Sequence, residues 1–365
     1  MSTHLKKKSH RAATLADVGR EAGVSAMAAS AVLNGARTSS RTAPETRERI
    51  LQAAEKLRYR PNAAARALAD RCMNTLGVAA VFIGNELNQY FLEVFNGVVE
   101  AAAKHDQNTT VFTLHDWEKD AERLPGFCDG RIDGLILIGP TLSRESLSLL
   151  PDHTPCVALH SNIPVPKSVN LETDEEHGAF EMVTHLIKAG HRRIMHLSGP
   201  RGLTGAERRV EGYRRALSAA RIKFDPTLLI EAGFSEDCGA RAMNDFMKRS
   251  SGRLLPQAIF CANDAIAIGC LEILSHVGLK VPTDLSVVGF DDTLAARTTI
   301  PQLTTVRQPL RAMGVKAVEM TLERIKAMRD GTIERTAKNV ILPTQLVIRA
   351  SDGPPPPQDL MIPSR

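Results

Sequence analysis

The sequence is poor in aromatic residues. They make up 4% of it, with one tryptophan and three tyrosines in 365 residues, so few rings are on hand to stack against a ligand. Six cysteines, Cys72, Cys128, Cys156, Cys238, Cys261 and Cys270, lie far apart and form no CxxC pair. That excludes a zinc knuckle and a dithiol redox motif, and scattered single thiols fit a reducing cytoplasm. No run of about 18 apolar residues occurs, so no membrane-spanning helix is expected. The opening stretch MSTHLKKKSHRAATL has charge but no apolar core and does not read as a secretory signal. The eleven histidines show no HExxH or comparable ligand spacing. There is no G-x-S-x-G, no Walker loop and no GxGxxG after the first strand. Nothing in these patterns argues for an enzyme, a metal site or a cofactor.

What is present is ordinary bulk with uneven charge. Hydrophobic residues at 43% and charged residues at 24% are those of a soluble globular protein. At roughly 100–200 residues per domain the length suggests two or three domains. Residues 1–71 hold 14 Lys/Arg against 6 Asp/Glu, a surplus of +8, which leaves the remainder at −3 within the total of +5. A small basic head on a mildly acidic body indicates either a polyanion partner for the head or a solvated basic tail.

Four segments follow from the pattern: a helical head over 1–60, a short Ala-rich linker over 61–74, an alternating α/β region over 75–350, and a Pro-rich tail over 351–365. In the head, Thr14 and Asp17 have near capping-box spacing before LADVGREA. Gly23 breaks the chain, Ser25 can cap a second helix, and Gly35 ends it. Thr42 and Glu45 again have capping-box spacing, before a helix whose apolar face is Ile50, Ala53, Ala54 and Leu57 and which Pro61 stops.

Beyond Thr75, apolar runs alternate with amphipathic helical stretches. Candidate strands are Leu76–Phe82, Thr109–Thr113, Gly134–Ile138, Cys156–Leu159, Ile194–Leu197, Ala258–Cys261 and Ser286–Gly289. Strands spaced by helices imply parallel sheets with right-handed crossovers. About 275 residues of this pattern are too many for one sheet, so two lobes with a cleft are expected. In GHRRI, Gly190 reads as a helix C-cap and His191, Arg192 and Arg193 as a solvated turn. The tail DGPPPPQDLMIPSR reads as disordered or extended, and Trp117 receives no role.

The order helix, Gly turn, helix, third helix, Ala-rich segment resembles the head of the lactose-repressor (LacI/GalR) family of bacterial transcription regulators. The resemblance runs from about Thr14 to Arg349. It rests on TLADVGREAGVS, VLNG, TRERILQAAEKLRYRPNAAARAL, TLGV, RIDGLIL, HLIKAGHRRI, VEGYRRAL, FCANDAIAIG and VPTDLSVVGFDDTLAARTTIPQLTTVRQP. It implies a helix-turn-helix head on an α/β body like that of the periplasmic binding proteins, built of two parallel-sheet lobes.

The resemblance places DNA contacts at Thr14, Ser25, Ala26, Met27, Ala28, Ser30, Ala31, Asn34, Arg37, Arg41, Tyr59, Asn62, Ala65 and Leu68. The second helix of such a head lies in the major groove. Ala29, Val32 and Leu33 share its inner face, and Ala26, Met27, Ser30 and Ala31 point outward. The family commonly has Thr where Ala28 stands and a polar or basic residue where Ala31 stands, so Ala26, Met27 and Ala31 cannot make bidentate bonds to guanine or adenine. This helix reads thymine methyls by apolar contact, or its base reading is degenerate. Affinity is expected from phosphates, through Lys6, Lys7, Lys8 and Arg11 in the arm. Arg37 and Arg41 lie in a loop longer than the family's usual one. RPNAAARALA resembles the family's hinge helix, with Leu68 at the position of the minor-groove wedge. Such a short helix is marginal alone and should order only with both dimer and DNA.

In the body the resemblance places effector contacts at Arg209, Asn263 and Asp291, each where a strand ends or a helix begins. Arg, Asn and a carboxylate together suit adjacent hydroxyls of a sugar or polyol. Phe234, Tyr90 and Phe91 match ring positions near the cleft. His160 stands where many relatives have Asp, so a purely carboxylate-lined sugar site is not expected. The expectation is a cytoplasmic, homodimeric regulator, with repression as its expected sign. It would bind a pseudo-palindromic duplex and respond to a small polar effector, a sugar or a derivative, with no cofactor. The alternative is a cytoplasmic sugar-binding protein whose head only oligomerises or binds DNA non-specifically.

Overall fold

A computed structural model describes residues 12–33, 42–61, 72–81, 88–250, 252–334 and 336–362. The chain forms two units, Met1–Asn74 and Thr75–Arg365.

In the first unit, α1 (Leu15–Ala22), α2 (Ala26–Leu33) and α3 (Pro44–Lys56) surround one small core. Thr14 caps α1 with a complete capping box: its N–H donates to Asp17 Oδ2 at 2.9 Å, and the Asp17 N–H donates to its hydroxyl oxygen at 3.3 Å. Gly23 then turns the chain at φ +67°, a value cheap only for glycine. Ser25 Oγ accepts from Ala28 N–H at 3.1 Å and opens α2. The core holds Val18, Ala22, Ala29, Val32, Ile50, Ala53 and Ala54; of the residues that helical spacing assigned inward, Leu33 and Leu57 are only partly buried against it. One detail differs from the sequence reading. Thr42 does not cap α3; Ala43 is its N-cap, without a side-chain bond, and Pro44 opens the helix because its missing N–H is not needed there. The expected stop of α2 at Gly35 lies outside the described residues.

The second unit has two lobes. The first carries a six-stranded parallel sheet in the order β11 (Lys338–Leu342), β5 (Val169–Thr173), β4 (Cys156–Leu159), β3 (Gly134–Ile138), β1 (Thr75–Val81), β2 (Asn108–Leu114). Its faces are covered on both sides, which is why β3 is apolar throughout. Ile136 and Ile138 face α4 (Gln89–Lys104), and Leu135 and Leu137 face Phe112, Trp117 and α5 (Leu124–Phe127). A short α6 (Arg144–Leu147) precedes β4.

The second lobe has a four-stranded parallel sheet, β7 (Leu229–Glu231), β6 (Ile194–Ser198), β8 (Ala258–Cys261), β9 (Ser286–Val288). One face carries α7 (Glu175–Lys188) and α8 (Thr204–Ala219), the other α9 (Glu236–Arg249) and α10 (Asp264–His276). After α11 (Leu294–Thr298), β10 (Thr305–Arg307) and β12 (Gln345–Val347) pair antiparallel beside the crossings between lobes, and α12 (Leu310–Arg329) returns to the first lobe. Each candidate strand from the sequence overlaps a strand of the described residues; Phe82 lies outside those residues, and Gly289 falls just after β9. Strands β5, β7, β10, β11 and β12 were not expected.

Two helix pairs approach backbone to backbone. A Cβ on Gly314 in α12 would lie 2.0 Å from Val94 O in α4, and one on Gly97 would lie 2.0 Å from Arg311 O. Helices α9 and α10 repeat the device, with Gly269 at 2.0 Å from Glu236 O and Gly239 at 2.3 Å from Ile266 O. Backbone cannot yield as a flexible side chain can, so Gly314→Ala must push two core helices apart. A loss of about 3 kcal/mol is expected, read as a shift in the urea midpoint without a change in slope. An unchanged midpoint would contradict this packing.

Of the two readings of the Pro-rich tail, the extended one holds as far as the tail is described, and the segment is docked on the second lobe. Leu255 N–H donates to Leu360 O and Ile362 N–H to Arg253 O, both at 2.8 Å, and Ile362 is 1% exposed. His191 is not in a solvated turn. It is fully buried, with Nε2 2.9 Å from Gly353 O, because the tail passes over it. Gly190 does end its helix, at φ +111°, and Arg192 stays exposed.

Candidate functional site

Strand ends and helix starts of the two lobes border one cleft of about 570 Å³. From the first lobe come Tyr90 in the opening turn of α4, Trp117 after β2, His160 directly after β4 and, at the crossing, Glu175 opening α7. From the second come Arg209 on α8, Phe234 ahead of α9, Asn263 after β8 and Asp291 after β9. Carboxyl ends of parallel strands are where such crevices form, because loops there diverge and helix N-termini point in. All seven residues assigned to an effector from the sequence border this cleft. Phe91 does so only marginally: its ring is 4% exposed and stacks on Phe95 at 5.3 Å within the core. It is a packing residue.

Each polar group is held by the fold. Asn263 Oδ1 accepts from Ile266 N–H at 2.9 Å, capping α10, and its amide donates to Phe234 O at 3.2 Å. Arg209 is 6% exposed, donates to Ala262 O at 2.6 Å, and lies 4.1 Å above the Phe290 ring. Its buried Nε has no hydrogen-bond partner. Asp291 Oδ1 accepts from Gln308 Nε2 at 2.6 Å. His160 and Asp291 sit at φ +49° and +116°, backbone that costs about 1–3 kcal/mol for residues with side chains. Such strain at two cleft residues fits a site built for function.

Burial governs the protonation here. It pushes the Asp291 carboxyl up to about 6 against the pull of Arg209 and Gln308. It pushes the neighbouring Asp264 up as well, with Asp291 adding, although Thr293 and Thr305 donate to that carboxylate. His160 is pushed below the ordinary histidine value by burial, against the pull of Glu175 and Glu172. Tyr90 is pushed far up, so it stays a phenol.

Two contacts bind the lobes beside the cleft. Arg208 on α8 reaches Glu172 on β5 at 2.7 Å, and Thr204 donates to Asn162 O at 2.5 Å. Sequence reading missed Trp117, which is 4% exposed and borders the cleft, and Glu175, which is 1% exposed. Glu175 lies in the acidic run ETDEE, whose signal is helix initiation. No group of three or more metal-ligating side chains occurs among the described residues.

In the head, Ala26 is exposed and Met27 is 82% exposed, both in the first turn of α2, while Ser30 and Ala31 are half-buried and Ala29 is fully buried. Of the face expected to point outward, Ala26 and Met27 are therefore the exposed part. Thr14 and Ser25 act as helix caps, Ala28 is half-buried, and Tyr59 packs partly against the core. The expected contacts Asn34, Arg37, Arg41, Asn62, Ala65 and Leu68, and the basic arm, lie outside the described residues.

A helix-turn-helix head joined to a two-lobed body with a cleft at its strand ends defines a DNA-binding regulator of transcription. Residues 14–62 match the family of bacterial regulatory proteins named after lacI, and residues 183–351 match the periplasmic binding protein-like domain. The HTH-type transcriptional repressor PurR of Haemophilus influenzae is 32% identical over 347 residues, covering 93% of this chain and 98% of that protein. PurR of Aliivibrio fischeri is 33% identical over 319 residues, covering 86% and 92%. Among solved structures, the lac repressor dimer bound to operator and an anti-inducer matches with a TM-score of 0.78 at 26% identity, over 93% of this chain and 99% of that one. The regulator CelR in complex with cellobiose matches with a TM-score of 0.68 at 28% identity, over the same shares. The chain belongs to the LacI family. Among the described residues no helix is long and apolar enough to cross a membrane.

Proposed function

We propose that the chain is a cytoplasmic, homodimeric repressor whose grip on a pseudo-palindromic duplex is set by a small neutral polyhydroxylated effector, a sugar or a derivative, held without turnover in the cleft. One observation carries this reading: Arg209, Asn263 and Asp291 on one wall face Tyr90 and His160 on the other across about 570 Å³. A ring with hydroxyls on its edge would meet donors and acceptors from both lobes, and its apolar face would meet Trp117, Phe234 or Ile268. Asp116, Glu175, Glu236 and Asp291 line the cleft against Arg201 and Arg209, which disfavours an anionic ligand.

In the head, Ala26, Met27 and Ala31 would contact thymine methyls, while the basic arm, Arg37 and Arg41 would hold phosphates. Leu68, with Asn62 and Ala65 beside it, would wedge the minor groove at the dyad. Contacts to both lobes let an effector change their angle, and effector and duplex must then alter each other's affinity by one factor.

The test is a thermal-shift panel on the full chain with neutral mono- and disaccharides, sugar acids and flat heterocycles. Hits are then titrated against DNA binding. Stabilisation by one neutral sugar, with a matching change in DNA affinity, is expected. Stabilisation by heterocycles alone would overturn the sugar reading.

A further inference from the structure

Five side chains form an unbroken hydrogen-bonded row from one lobe to the other. Tyr90 Oη lies 2.6 Å from His160 Nδ1, and His160 Nε2 lies 3.1 Å from Thr173 Oγ1. Thr173 Oγ1 lies 2.5 Å from Gln308 Oε1, and Gln308 Nε2 lies 2.6 Å from Asp291 Oδ1. Thr173 ends β5 and Gln308 follows β10, so both stand where the chain crosses between lobes. They are 0% and 3% exposed, and neither borders the cleft.

Such a row has a direction. A tyrosine, a threonine and a neutral histidine each have one proton to donate, so the orientation of one dictates the next. An ionised Asp291 only accepts. Gln308 must then turn its amide N–H to Asp291 and its oxygen to Thr173. The Thr173 hydroxyl donates to that oxygen and accepts from His160 Nε2–H. Nδ1 of His160 is left bare and accepts the Tyr90 proton, and the Tyr90 oxygen offers the cleft lone pairs only. Glu175 Oε1, 3.5 Å from His160 Nε2, favours the same tautomer. With Asp291 protonated on Oδ1, the oxygen that faces Gln308, the opposite order becomes self-consistent. Asp291 donates to the flipped Gln308 amide, Gln308 to Thr173, Thr173 to His160 Nε2, and His160 Nδ1–H to Tyr90. The Tyr90 proton then points into the cleft.

We propose that Thr173 and Gln308 are positioning residues that carry the protonation state of Asp291 in one lobe to Tyr90 in the other, making Tyr90 an acceptor towards the effector when Asp291 is ionised and a donor when it is neutral. At pH 7.5 and above, the effector must therefore bring a hydroxyl or amine donor to the Tyr90 side. This consequence rests on the cleft being the effector site; the row itself does not.

The charged surroundings leave Asp291 as the member that titrates near neutrality. Arg209 on α8 draws its proton off, while burial and Glu175 at the start of α7 hold it on, and the Asp291 charge in turn raises the carboxyl of Asp264 on α10. His160 faces Glu175, Glu172, Arg208 and Arg209, and burial keeps it neutral. Tyr90 stays protonated.

The test uses the full, effector-free chain with 15N-labelled histidine and reads the ring nitrogens by NMR, with His160 assigned by its loss in His160→Gln. At pH 8 the ring should carry its proton on Nε2, and below pH 6 on Nδ1. In Thr173→Val the proton position should cease to follow pH; Gln308→Met gives the same test by the next link should the valine variant not fold. A wild-type ring that keeps one tautomer from pH 8 to 5, or a switch that survives both variants, would overturn the proposal. No ligand is used, so failure to bind sugars would leave this result standing, and a silent row would leave sugar binding untouched.

Discussion

Asp291→Asn is expected to stabilise the effector-free chain by about 3 kcal/mol at pH 8 and by almost nothing near pH 4. The sign follows from the direction of the shift. Burial raises the folded carboxyl to about 6 from an ordinary 3.8, so the fold holds this proton more tightly than the unfolded chain does. The cost of ionisation is full above the folded value. It shrinks as the pH falls towards the unfolded value, and it vanishes below that. About two pH units at about 1.4 kcal/mol each give the estimate. Asparagine keeps the shape and can still offer Gln308 an acceptor. Urea unfolding followed through the single tryptophan, Trp117, which is 4% exposed, would read the difference. A variant equally stable at both pH values relative to wild type would contradict the buried, destabilised carboxylate. The same variant should lose its effector response, since a site that sacrifices stability for a charge does so for binding.

Arg209→Met should weaken the sugar found in the panel by roughly 100-fold and leave effector-free DNA binding unchanged. Hydrogen bonds to a charged donor contribute about 1.5–3 kcal/mol each, and a guanidinium fixed by Ala262 O and the Phe290 face loses little entropy on binding. Methionine fills similar volume without the fork. Isothermal titration with sugar, beside a duplex-binding curve, separates the two effects. Equal sugar affinity in both proteins would remove Arg209 from the site.

Arg209, Asn263 and Asp291 were legible through the family resemblance; at Asn263 and Asp291 a strand end followed by a polar residue also leaves a local trace, whereas Arg209 lies inside α8. ANDAIAIG and VVGFDD both give a short apolar run, then an acid or amide, then a helix. Strand β5 left no such trace: Asn170 is buried and holds Val165 by two bonds, and Glu172 is held by Arg208. Its VNLET reads as polar although all five residues are buried. The docking of the tail left no trace for a related reason. Proline runs look unpaired, yet here Ile362 and backbone bonds anchor one. Thr173 and Gln308 lie 135 positions apart and meet only because the chain crosses the hinge more than once. No local pattern encodes that meeting. In the head, by contrast, caps and spacing are local, and Ala29 and Val32 went inward as their period required.

A regulator that reads DNA through an apolar helix face and answers to its cleft should reveal both properties in a selection of duplexes from a randomised library. The native chain and Leu68→Ala would be run in parallel, each with and without the panel's sugar. A symmetric motif is expected, with thymines under Ala26, Met27 and Ala31 and a defined centre that Leu68→Ala weakens, and with enrichment that the sugar changes. A folded dimer that enriches no motif, or one whose motif demands guanine under α2 and ignores the sugar, would contradict it.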